Sequence, residues 1–111
     1  MHITKDNIGQ FIDGSIMDCS NKGITRLEYI PDGITNLFCY NNKLTELPKL
    51  PESLKRLWCY SNKLTELPKL PDGLKYLYCY MNNLPYEVTI DNFKEHNKLI
   101  KRKQILKLIC T

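Results

Sequence analysis

Short stretches with a two-residue apolar period alternate along the chain with longer stretches of widely spaced leucines. Leu57 and Cys59 are apolar, while Arg56, Trp58 and Tyr60 fall between and beside them. That is the period of a strand with one buried face. Leu64, Leu67 and Leu70 follow, and their spacing predicts an arc that turns its leucines inward to close a coil. Pro48, Pro51, Pro68 and Pro71 lie along such arcs. Proline has no N–H and a fixed φ, which suits an extended, polyproline-like segment and not a helix. The pattern predicts a short parallel sheet on one side and irregular extended chain on the other.

The alternation keeps strict time. Cys19, Cys39, Cys59 and Cys79 each stand 20 residues after the last. Around them one phrase recurs as Leu37-Phe-Cys-Tyr-Asn-Asn-Lys-Leu44, Leu57-Trp-Cys-Tyr-Ser-Asn-Lys-Leu64 and Leu77-Tyr-Cys-Tyr-Met-Asn-Asn-Leu84. A weaker copy, Met17-Asp-Cys-Ser-Asn-Lys-Gly-Ile24, precedes them. A strict period of this length marks a stack of near-identical supersecondary units. A unit of this size is too short for a strand, a full helix and two turns. The units begin near 17, 37, 57 and 77 and together span 17–90. Asn42, Asn62 and Asn82 fall where the chain leaves each strand, placed to satisfy loop N–H and C=O groups as a structural ladder. The first unit has Lys22 there, as an atypical terminal unit would.

Read from Leu54, the sequence Leu-Lys-Arg-Leu-Trp-Cys-Tyr-Ser-Asn-Lys-Leu64 fits the leucine-rich-repeat pattern L-x-x-L-x-L-x-x-N-x-L, with Cys59 in the third apolar slot. The back halves Thr45-Glu-Leu-Pro-Lys-Leu-Pro-Glu-Ser53 and Thr65-Glu-Leu-Pro-Lys-Leu-Pro-Asp-Gly73 complete two units. On these residues the chain resembles the short-repeat leucine-rich proteins of bacterial effectors. It is similar in style to the cysteine-bearing repeats of giant DNA viruses of amoebae. The resemblance covers about residues 17–85. It implies a leucine-rich-repeat solenoid with a parallel β-sheet on the concave side and an irregular convex side. It says little about function, because the fold is a scaffold for many jobs. Some effectors of this kind append a ubiquitin-ligase domain with a catalytic cysteine, and residues 91–111 are far too short to be one.

A stack needs both ends of its interior covered. Residues 1–16 offer Ile3, Ile8, Phe11, Ile12 and Ile16 as an N-terminal cap. At the other end the repeat decays after Leu84. Asp91 or Asn92 can cap a helix running to about Leu108. Phe93, His96, Leu99, Ile100, Leu106, Ile109 and Cys110 fall roughly on one side of that helix, and Lys and Arg dominate the other. Residues 91–111 are therefore expected to be a C-terminal capping α-helix, basic and amphipathic, that lays its apolar side over the last unit.

Charge sharpens this division. The formal charge is +4. Residues 92–111 carry Lys94, Lys98, Lys101, Arg102, Lys103 and Lys107 against Glu95, a local +5, which leaves −1 for residues 1–91. The basicity belongs to the tail. Residues 94–107 are thus a candidate contact for nucleic acid or an acidic membrane.

Cysteine admits several chemistries. Neighbouring strands would bring the thiols close, at ~4.8 Å per strand, but with parallel side chains that fit disulfide torsions poorly. A metal site wants paired cysteines or nearby histidine, and neither His2 nor His96 falls in register. Small buried hydrophobes is the simpler reading. Cys110, outside the register, has nothing visible to activate it. No apolar run resembles a signal peptide or spans a bilayer, and no Asn-x-Ser/Thr sequon occurs. Together with cysteines in core slots, this points to a cytoplasmic setting, the host cytoplasm if the chain is viral. No cofactor is implied. No catalytic triad, paired carboxylates or Gly-rich phosphate loop stands in register, so the chain is not expected to be an enzyme.

In register, the outward positions of the strands form rows. One reads Asp18, Phe38, Trp58, Tyr78, the next Ser20, Tyr40, Tyr60, Tyr80, and a flanking row Ile16, Asn36, Arg56, Tyr76. Seven of the eleven aromatic residues then share one face. Tyrosine and tryptophan offer rigid contact area with a polar edge, as recognition hot spots do. Rings in register at ~4.8 Å can equally stack on one another and stabilise the sheet. Phe38, Tyr40, Arg56, Trp58, Tyr60, Tyr76, Tyr78 and Tyr80 are the candidate site, expected to bind a protein or peptide. A nucleic-acid ligand stacked on the rings beside the basic tail, or no specific ligand, are the alternatives.

Overall fold

The computed structural model describes residues 1–110, and side chains as far as Leu108. Its strands are β1 (His2–Ile3), β2 (Ile12–Asp13), β3 (Ile16–Asp18), β4 (Arg26–Leu27), β5 (Asn36–Phe38), β6 (Arg56–Trp58) and β7 (Tyr76–Tyr78). A 3-10 turn (Ile8–Phe11) lies between β1 and β2, and one helix, α1 (Phe93–Cys110), ends the chain's described part. β2, β3, β5, β6 and β7 form a five-stranded sheet in that order, and β1 and β4 pair separately. The arrangement is a sheet with mostly parallel pairing and a C-terminal helix.

Parallel pairing joins Met17, Leu37, Leu57 and Leu77 in one continuous row, so each strand lies beside the one 20 residues earlier. Register follows from the alternation: slipping one strand by a residue would turn every buried side chain outward. Met17, Leu37 and Leu57 are fully buried, as are Cys19, Cys39 and Cys59. Leu64 and Leu70 are fully buried too, with Leu67 nearly so, which places the arc leucines in the same core.

Beyond each short strand the ladder continues through irregular backbone. Cys39 N–H donates to the Trp58 carbonyl and Asn41 N–H to the Tyr60 carbonyl, and Cys59 and Ser61 repeat this toward Tyr78 and Tyr80. Asn21, Asn41, Ser61 and Met81, one per level, take φ of 57°, 53°, 55° and 59°. This left-handed kink ends each strand and turns the next residue inward. The residue turned in is the asparagine of the ladder. Asn62 Nδ2 donates to the carbonyls of Cys39 and Cys59, both at 3.0 Å, while its Oδ1 accepts from Leu44 N–H at 3.1 Å. Asn42 and Asn82 make the equivalent bonds one level away. Each amide therefore ties two successive levels together and removes buried backbone groups from the unsatisfied list.

The two ends close differently. At the N-terminal end β2 turns back antiparallel on β3 through Gly14, whose φ of 63° suits a tight hairpin. Ile3, Ile8 and Phe11 are buried under this hairpin and Ile12 packs against the same core. Ile16 is exposed, because register places it beside Asn36 on the outward row.

At the other end α1 docks through its first turns only. Phe93 and His96 are buried, whereas Leu99, Ile105 and Leu106 are 39, 47 and 52 % exposed and no residue from 101 to 108 is buried. The apolar side chains of α1 are spread around it, so Leu99 and Leu106 do not join the docked side as their sequence spacing suggests. Ile109 and Cys110 lie outside the described side chains. Among the described residues no helix is long and apolar enough to cross a membrane.

Candidate functional site: an aromatic sheet face

All eight predicted site residues fall on the same face of the five-stranded sheet. Pairing sets Arg56 beside Tyr76, and Phe38, Trp58 and Tyr78 in one row. Residues two positions further along carry the tyrosine row.

The rings stack in two different ways. Tyr40, Tyr60 and Tyr80 form a column, with centroids 4.7 Å apart at both steps and interplanar angles of 3° and 13°. Phe38 and Trp58 lie 4.7 Å apart and tilted, and Tyr78 meets Trp58 edge-on at 5.7 Å. Such pairs contribute about 0.5–1.5 kcal/mol each beyond area burial. Part of the aromatic content therefore holds the sheet together.

The face nevertheless stays open. Tyr76, Tyr78 and Tyr80 are 47, 45 and 58 % exposed, while Phe38, Tyr40, Trp58 and Tyr60 are half-buried by their neighbours. Exposure grows toward β7 because β7 has a strand on one side only. The Trp58 Nε1–H is buried without an acceptor, the one such side-chain atom among the described residues. An unsatisfied buried donor costs about 1–3 kcal/mol.

Arg56 supplies the charge. Its guanidinium sits 4.5 Å from the Tyr76 ring centroid, a cation–π contact made while the residue stays exposed. Crowding raises the Tyr60 phenol above its usual pKa of 10.0: the surrounding rings desolvate it, and Tyr40 and Tyr80 add electrostatic repulsion. Tyr60 therefore stays neutral at physiological pH, and the column presents hydrogen-bonding, apolar surfaces.

The cysteines beneath the face are free and buried. Burial pushes the Cys19 thiol up to about 12, with Asp18 adding to it, and the Cys79 thiol up to about 11, with Glu87 adding to it. Cys39 and Cys59 are raised by burial and by neighbouring thiols. Thiols held so firmly protonated are poor nucleophiles and poor metal ligands. Among the described residues no three His, Cys, Asp or Glu side chains converge as a metal site requires.

Two further features had little or no signal in the sequence. His96 is buried with Nε2 3.0 Å from the Pro68 carbonyl and Nδ1 2.6 Å from the Tyr86 hydroxyl. A carbonyl only accepts, so Nε2 carries a proton and donates to Pro68, while Nδ1 and the Tyr86 hydroxyl share the second bond. Beside it Asn97 Nδ2 donates to the Leu70 carbonyl at 2.7 Å, and its Oδ1 accepts from Leu70 N–H at 2.8 Å. These links hold the first turns of α1 against the Pro68–Leu70 backbone. The second feature is a pair of exposed lysines, Lys55 and Lys75, at the end of the strands where Arg56 lies. Comparison of the chain with protein-family models, curated proteins and solved structures finds no match to any of them.

Proposed function

We propose that the chain is a leucine-rich-repeat solenoid, and that its aromatic sheet is the concave, non-enzymatic binding surface for a polypeptide. The 20-residue parallel register and the asparagine ladder support the solenoid reading. One observation carries the binding reading: seven rings and Arg56 share one sheet face, and Tyr76, Tyr78 and Tyr80 remain 47, 45 and 58 % exposed among the described residues. Monomeric proteins rarely leave a contiguous ring surface of that kind without a use for it.

The size of the face bounds the ligand. Four parallel strands at ~4.8 Å, with about four outward-facing levels of chain, give a footprint of only about a few hundred Å². A stable interface between folded domains takes ~800 Å² from each partner. The ligand is therefore a short peptide, a helix or a loop. Trp58, Tyr60 and Tyr78 form the centre of contact and Arg56 gives polar selectivity. Buried free thiols support a reducing, cytoplasmic setting.

The test is affinity capture from a nuclease-treated cytosolic lysate with wild type and a Trp58→Ser/Tyr60→Ser variant of measured thermal stability. Wild type is expected to retain a protein that the equally folded variant loses. Identical capture by both, or capture that disappears with nuclease, would reject the polypeptide reading.

A further inference from the structure

The ends of strands β6 and β7 gather positive charge. Arg56 opens β6, and Lys55 immediately precedes it. Lys75 stands in the equivalent place before β7, and its N–H donates to the Lys55 carbonyl at 2.9 Å. Adjacent strands lie ~4.8 Å apart, so the three residues stand at one end of the sheet, Arg56 on its aromatic side and Lys55 and Lys75 at the positions that alternate with that side. All three are exposed. The ion pairs among the described residues are His2–Glu28, Arg26–Glu28 and Glu95–Lys98, so none of the three has an ion-pair partner among the described residues. The Lys55 ammonium reaches back across the next level, 2.6 Å from where a Cβ on Gly73 would stand. A side chain there would push it away. Arg56 is the one of the three that stands on the aromatic side, where an incoming carboxylate can reach it.

Arg56 is also shaped for such a group. Its contact with the Tyr76 ring restrains the side chain, and its N–H donors have no ion-pair partner among the described residues. A planar fork binds a carboxylate through two parallel N–H···O bonds, which a lysine cannot imitate. We propose that Arg56 is a carboxylate clamp for an acidic residue of the polypeptide bound on the aromatic face. This rests on the binding reading above and adds the chemistry of the partner. Trp58 and Tyr78 lie two residues along the strands from Arg56 and Tyr76. An extended peptide running along the strands repeats its side chains on one face every ~6.6 Å. The partner is therefore a segment in which an Asp or Glu stands two residues from an aromatic or large apolar side chain.

The experiment uses a random-decapeptide display library selected on the full chain, with the enriched peptide then synthesised and titrated. Enriched sequences are expected to share one Asp or Glu spaced two residues from an apolar residue. Arg56→Gln in the protein, or replacing that acid by its amide in the peptide, should each weaken binding about tenfold or more. The two changes together should cost little more than either alone, and Arg56→Lys should fall between. Arg56 is exposed and outside the core, and equal melting temperatures of the variants verify the fold. Enriched peptides without a fixed acid, or binding indifferent to Arg56→Gln yet lost with Trp58→Ser, overturn the clamp and leave the aromatic site standing. No enrichment, or binding indifferent to Trp58→Ser as well, overturns both.

Discussion

Asn62 shows how much one side chain carries in this chain. Its amide satisfies the Leu44 N–H and the carbonyls of Cys39 and Cys59 at once. Asn62→Ala leaves the Leu44 N–H without a partner, while the Cys39 and Cys59 carbonyls keep the Asn42 and Asn82 amides. At about 1–3 kcal/mol for the orphaned N–H, the variant should lose roughly 2 kcal/mol in urea denaturation. A loss below about 1 kcal/mol would show that a bound water substitutes for the amide. The ladder was legible from sequence because an asparagine recurs at a strand exit. The residue before it was harder to read. Asn21, Asn41, Ser61 and Met81 have no chemistry in common, and only asparagine among them visits the left-handed region readily. Met81, 72 % exposed, gives up no packing when replaced. Met81→Gly should therefore stabilise the protein by about 0.5–1 kcal/mol, seen as a rise in melting temperature. Unchanged or lower stability would mean the kink at that level is not strained.

At the scale of the element, α1 is the part where sequence and structure diverge most. Its 18 residues span ~27 Å, longer than the back segment it meets. Contact is confined to Phe93, His96, Asn97 and their neighbours, and the rest of the helix stands clear with Leu99 and Leu106 exposed. Sequence spacing ranked the helix by its apolar residues, whereas docking is fixed largely by polar ones. The Pro68 carbonyl and both backbone groups of Leu70 lie on the last full level, where no further level exists to pair with them, and His96 and Asn97 supply the missing partners. Asn92, expected as a helix cap, instead turns its amide toward Thr89 N–H and the Glu87 carbonyl, while its own carbonyl accepts from Glu95 N–H. Asn97→Ala should cost about 2 kcal/mol and expose the Leu70 amide to fast hydrogen exchange. Leu70 protection unchanged in the variant would show that Phe93 and His96 hold the helix alone.

At the scale of the whole molecule, the column of thiols runs through the core and couples stability to alkaline pH. The usual thiol pKa is 9.0, and folding raises it at Cys39 and Cys59, the two most deeply buried, as well as at Cys19 and Cys79. A raised folded pKa means the thiol is neutral in the folded chain and ionises more easily once unfolded. Stability is therefore complete below about pH 9 and is lost as pH rises above it. Cys39 and Cys59 each withdraw about 1.4 kcal/mol per pH unit in that range, an order-of-magnitude slope. Chemical denaturation at pH 8 and pH 10 should show the loss, and Cys59→Ala should reduce the slope while lowering stability at pH 8. A pH-independent midpoint across this window would contradict the burial of the thiols.

The sequence by itself determined the level spacing, the inward residues, the extended proline-bearing segments, the structural asparagines and the shared aromatic face. Those features depend on a local period, and a period that recurs every 20 residues fixes which side chains become neighbours once strands pair in parallel. Tertiary structure alone decided how the rings divide between stacking and exposure, because that depends on where the sheet ends: β7 has no further strand, so Tyr76, Tyr78 and Tyr80 keep a free side. It also decided that the Arg56 guanidinium meets the Tyr76 ring, since those two residues are neighbours only through strand pairing. The docking of α1 belongs to the same class, since its partners are backbone groups 27 and 28 residues away that no side-chain pattern announces.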